Sequence, residues 1–88
     1  MRGSVFLKAI VRRVNNKRGF VVFESEGNDF GWFEILDTVD LEQDDELIGH
    51  FKELGGTTIT KKSTGENIEV FIEDYGMSFK RAVEMIFR

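Results

Sequence analysis

The stretch "NNKRGFVVFESEGNDFGWFEIL", Asn15 to Leu36, decides how this chain folds. It opens on turn chemistry, "NNKRG", in which Asn tolerates and Gly19 freely permits left-handed backbone. "FVVFE" follows as a strand, "SEGND" as a second turn, and "FGWFEIL" as another strand. Gly31 inside that last run marks a bulge or a sharp bend. Phe20, Phe23, Phe30, Trp32 and Phe33 crowd this short segment, directly after a stretch rich in Lys and Arg. Such rings either fill a core or form a platform that something else touches.

Working outward, "SVFLKAIVRRV" places Val5, Leu7, Ala9 and Val11 on one face, with Lys8 and Arg12 on the other. Period two and β-branched content predict a long first strand. Downstream, "ELIGHFKEL" reads as a fourth strand in which Gly49 permits a kink. "GGTTITKKSTGEN" is polar and rich in Gly and Thr, and reads as a long hairpin loop with at most a short ladder. "IEVFIED" alternates cleanly, with Ile68, Val70 and Ile72 on one side, and is the fifth strand. From Ser78, a residue able to cap a helix, Phe79, Ala82, Val83 and Ile86 recur at helical spacing. A helix of about three turns must dock to be stable. Five short strands separated by turn signals suggest a small closed or partly closed antiparallel β-barrel. The expected class is all-β with a short C-terminal α-helix over residues 77–88, and residues 1–88 form a single domain.

Composition narrows the chemistry. The 88 residues hold one small core. There is no Cys, which fits a reducing compartment such as the cytoplasm and excludes thiolate chemistry and disulfide scaffolds. No spanning helix and no secretory signal are expected, so no membrane partner is either. The formal net charge is −4, but its distribution is uneven. Arg2, Lys8, Arg12, Arg13, Lys17 and Arg18 precede Gly19 with no acid among them, whereas Asp37, Asp40, Glu42, Asp44, Asp45 and Glu46 crowd one stretch. That stretch is not a Ca²⁺ loop of the EF-hand kind: counted from Asp40, Asp45 stands where Gly is needed and Phe51 where the bidentate Glu is needed. His50 is the only His, so no catalytic triad can form around a second one, and the carboxylates show no shielded pairing. "GG" at Gly55 lacks the Lys-Ser/Thr of a phosphate loop. No enzyme activity, metal or cofactor is expected.

"AIVRRVNNKRGFVVF" resembles the first hairpin of cold-shock domains, roughly Ile-Val-Lys-Trp-Phe-Asn, a short turn, then Lys-Gly-Phe-Gly-Phe-Ile. Ile10, Val11, Arg12, Val14, Asn15, Arg18, Gly19 and Phe20 match in kind. "FGWFEIL" is similar to the family's Phe-Val-His-Phe-Ser-Ala-Ile, with Trp32 where the His stands, and "LEQDDELIGHF" is similar to its entry into strand four. The likeness spans most of residues 9 to 51, and S1-type barrels fit nearly as well. Both are OB-folds, so the resemblance implies a five-stranded antiparallel OB-fold-like barrel. It also implies binding of single-stranded RNA or DNA on the face of strands one to three, with RNA the first expectation. Carried over residue by residue, the contacts are Arg12, Arg13, Asn15, Arg18, Phe20, Phe30, Trp32 and Phe33, with Lys17 adding charge in the turn. Arg13 replaces the family's Trp, Val21 its Gly and Val22 its second Phe. Two stacking rings are thereby lost, and the Arg13 guanidinium plane offsets one of them. Phe23 alternates away from Phe20 and is expected in the core; Phe33 is balanced between core and platform. Phe20, Phe30 and Trp32 are expected to be exposed. The rival reading is a protein-interaction module that uses the barrel face and the C-terminal helix.

Overall fold

Alternation sets the first strand's inner face. In the computed structural model, which describes residues 6–88, Ala9 and Val11 of strand β1 (Leu7–Asn15) are buried in the barrel interior. Val5 and Arg2 lie outside the described residues. The register of β1 against β2 (Phe20–Ser25) slips between Val11 and Arg13, a bulge that spends one residue, Arg12, and so returns Val14 to the interior side. Arg13 and Asn15 are thereby set opposite Val22 and Phe20. The turn between the strands closes as its composition requires: Gly19 takes φ +70° and its N–H donates to the Asn15 carbonyl at 2.9 Å.

Strand β3 (Asp29–Ile35) pairs antiparallel with β2, and β6 (Glu66–Met77) pairs with β3. Gly31 is where the β3–β6 register becomes irregular. A Cβ there would sit 2.3 Å from the Asp74 carbonyl oxygen and 2.6 Å from Phe23 Cζ, so only Gly lets the two backbones come this close. The remaining elements are β4 (Glu46–Gly49), β5 (Gly55–Lys61) and α1 (Phe79–Phe87). The strands close into a barrel in the order β1-β2-β3-β6-β5-β4, with β4 returning to pair with β1.

The expectation of a small barrel with one C-terminal helix holds, and the barrel is of an OB-like kind, but it has six strands rather than five. The polar segment read as a long loop supplies β5 and the start of β6: Thr57, Thr58, Ile59, Thr60 and Lys61 pair in register with Val70, Glu69, Ile68, Asn67 and Glu66. Thr is a good strand former, and only one face of this hairpin needs to be apolar. The sixth strand also resolves a geometric conflict in the expectation. Strand direction must alternate around a closed, wholly antiparallel ring, which demands an even number of strands. All six pairings here are antiparallel.

The interior is filled by Val11, Val21, Phe23, Phe33, Leu47, Phe51, Ile59, Ile68, Val70 and Ile72, with Leu41 of the acidic loop folded onto it. Phe23 stacks on Phe33 at 5.9 Å between ring centroids and tilts against Phe51 at 4.9 Å. Phe33 is therefore a core ring, fully buried, and not a platform ring. Its parity with Val21, directly opposite on β2, puts it inside.

Candidate nucleic-acid interface

The residues that alternate outward on β1–β3 form a second apolar surface. Phe20, Val22, Phe30 and Trp32 compose it, and α1 lies on it through Ala82 and Ile86, which are fully buried, and through Val83 and Met85. This corrects the expectation of an exposed aromatic face. Trp32 retains only 9 % of its exposure, and Phe20 and Phe30 are half-buried. Helix α1 docks, as a helix this short must, on the outer wall of β1–β3. Sequence reasoning missed the partner although "FVVF" signals it: a strand apolar at successive positions is buried on both faces. Val22, read as a lost stacking ring, is a small β-branched residue lying under the helix.

Helix α1 is held at both ends. Ser78 caps its start, its Oγ accepting from the Arg81 N–H at 3.1 Å. At the other end Asn15 Nδ2 donates to the Ile86 carbonyl at 2.6 Å, and Arg18 Nη1 donates to the Arg88 main-chain oxygen at 2.7 Å. These bonds satisfy carbonyls that a helix terminus leaves open, and the Arg18 charge opposes the negative end of the helix dipole. Asn15 and Arg18, expected as ligand contacts, are thus engaged by the chain itself. The rings pair beneath and beside the helix. Phe20 meets Trp32 edge-on at 5.1 Å, and Phe30 tilts against Phe79 at 5.4 Å. The Arg13 guanidinium lies 5.5 Å from the Phe79 centroid, and that of Arg18 lies 5.7 Å from Phe20. Trp32 Nε1 is buried and has no hydrogen-bond partner among the described residues.

Charge is sorted across this region. Arg12, expected as a phosphate contact, is instead bound to Glu24 at 2.8 Å and to Asp44 at 3.2 Å. Lys52, Lys61 and Lys62 are similarly paired with Asp29, Asp45 and Glu46. Among the described residues, Arg13, Lys17, Arg18, Lys80 and Arg88 form no ion pair, and all lie on β1, on the β1–β2 turn or on α1 and the residue after it; Lys8 is a further unpaired cation on β1. Glu34 and Asp74 flank the opposite side, where β3 meets β6. The interface therefore has a basic border along β1 and an acidic one along β6.

His50 lies outside this region, with its ring 4.3 Å from that of Phe6 and Nδ1 3.8 Å from Glu53. No grouping among the described residues could hold a metal ion, and no described helix is long and apolar enough to cross a membrane. Comparison with protein-family models, with curated proteins and with solved structures finds no match to this chain.

Proposed function

We propose that this protein is a non-enzymatic, cytoplasmic binder of single-stranded nucleic acid, RNA in preference to DNA, related in kind to cold-shock and S1-type barrels. One observation carries the reading. In a chain of net charge −4, cations without acidic partners gather along β1, the β1–β2 turn and α1, beside the rings of β2 and β3. Unneutralised Arg and Lys attract phosphates and release counterions on binding, while adjacent ring faces stack bases. Arg13 serves both needs, because its planar guanidinium stacks as well as pairs. Arg13 and Lys17 form the phosphate border, and Arg18 adds its charge from the helix end it holds. The half-buried Phe20 and Phe30 form the stacking surface, with Trp32 beneath α1 supporting them. Phe33 contributes only by shaping β3 from inside. Affinity on the order of micromolar is expected from so few rings.

Anisotropy of a labelled oligouridylate, titrated with the full chain at low salt, tests the proposal. Binding should weaken steadily as salt rises. A folded protein that binds neither oligouridylate nor oligothymidylate at low salt refutes it.

A second reading has its own support. The outer face of β1–β3 already holds an amphipathic helix, α1, so a partner's helix is a ligand that this surface fits. Chemical cross-linking that traps a foreign helical segment against Trp32, with no oligonucleotide binding, would select it.

A further inference from the structure

Phe79 occupies an unusual place. It opens α1 and remains 36 % exposed, yet its ring has an aromatic neighbour, Phe30, at 5.4 Å and a guanidinium, Arg13, at 5.5 Å. The Phe79 ring is tilted by 60° to that of Phe30, and an aromatic ring and a guanidinium beside it are the groups with which proteins grip an unstacked base. Building on the nucleic-acid reading above, we infer that the slot between Phe30 and Arg13 is a base-binding subsite that Phe79 fills in the free protein, and that a nucleobase enters by displacing it.

Three further observations support the exchange. Trp32 Nε1 is a buried donor with no partner in the helix-docked state, so docking leaves a polar group unsatisfied that an opened face would return to water or to a ligand. The helix is nine residues long, too short to persist without its packing, and of its residues only Ala82 and Ile86 are fully buried. Its two ends are also secured unequally. Asn15 and Arg18 hold the C-terminal end by side-chain hydrogen bonds, whereas the first turn is held by the Ser78 cap and by the Phe79 ring contacts, directly after Met77 ends its pairing with Phe30. Gly76, at φ +68° with open space around its Cβ position, lies just before it and supplies torsional freedom. The first turn therefore unwinds, Phe79 swings away, and the last turn stays anchored. Arg13 then covers the incoming base, and Lys80 departs with the turn.

The experiment uses the full chain and two variants. Phe79→Ala removes the competing ring, and Ser78→Ala loosens the first turn without touching the slot. Binding of the same oligouridylate is measured by anisotropy, and Trp32 emission is followed during the titration. Phe79→Ala should bind about tenfold tighter than the unaltered chain. Ser78→Ala should bind about fivefold tighter, the fold-change that corresponds to loss of an average cap. The emission of Trp32, the only Trp, should change as ligand is added. If the unaltered chain binds but neither variant binds tighter, the displacement is refuted while the nucleic-acid reading stands. Weaker binding by Phe79→Ala makes Phe79 a ligand contact in its own right and likewise overturns the displacement. If no chain binds and all are folded, the nucleic-acid reading itself fails.

Discussion

Replacing Ile86 by Ala should detach α1 while leaving the barrel folded. Ile86 is fully buried against Val22 and Trp32 in an apolar cluster separate from the barrel interior. Burying an Ile side chain contributes ~1.5–3 kcal/mol, and the smaller Ala82 adds less. Against this, the unpartnered Trp32 Nε1 costs ~1–3 kcal/mol, and a nine-residue helix has little stability of its own. Partial burial of Phe20, Phe30, Val83 and Met85 adds to the favourable side, and the net docking free energy is on the order of 1–3 kcal/mol. Truncating a buried Ile to Ala removes ~2–5 kcal/mol, which is most or all of it. Native-state hydrogen exchange reads the outcome. Amides of residues 82–87 should exchange roughly thirty- to several-thousandfold faster, up to the limit set by the free helix. Amides of Ile68, Val70 and Ile72, paired within β6 and facing the interior core, should change far less. Acceleration of the β6 amides by the same factor as those of α1 would show helix and barrel to be one cooperative unit, and would refute the division into two cores.

Other expectations follow from single contacts. Gly31→Ala forces a Cβ to within 2.3 Å of the Asp74 carbonyl, which cannot move without breaking the β3–β6 register, so a urea midpoint should report a loss of at least ~1–3 kcal/mol. Phe33→Ala, which empties the centre of the barrel, should cost ~3–5 kcal/mol in the same assay, and a loss below ~1 kcal/mol would contradict its placement in the core. Asn15→Ala removes the 2.6 Å bond to the Ile86 carbonyl and should lower stability by ~0.5–1.5 kcal/mol, with the change in exchange confined to the end of α1. Arg13→Ala should weaken oligonucleotide binding and reduce the slope of log affinity against log salt by about one, and an unchanged slope would remove Arg13 from the phosphate border.

Much of the barrel was legible because alternation has a fixed period. Ala9 and Val11, Val21 and Phe23, and Ile68, Val70 and Ile72 share the parity that points them inward, and the turns at Gly19 and Asn28 adopt the left-handed backbone that Gly and Asn favour. The stripe Phe79, Ala82, Val83 and Ile86 likewise marked a helix with one apolar side, capped by Ser78. The β5–β6 hairpin was obscured by its polarity: Thr57, Thr58 and Thr60 read as a loop until Val70, Glu69 and Asn67 stood across from them. The site was less legible than the fold. Period two places Trp32 and Phe30 outside the barrel and Phe33 inside, but it cannot say whether an outward residue meets water, a ligand or another element. Parity is local, set by the backbone of one strand. Cover is set by whichever apolar stripe finds the lowest free energy, and α1 reaches the β1–β3 face from more than forty residues downstream of Trp32. Only the assembled barrel brings Phe79 onto Phe30 and Arg13, because that contact depends on the strand order, the bulge at Arg12 and the exit direction of β6 at once.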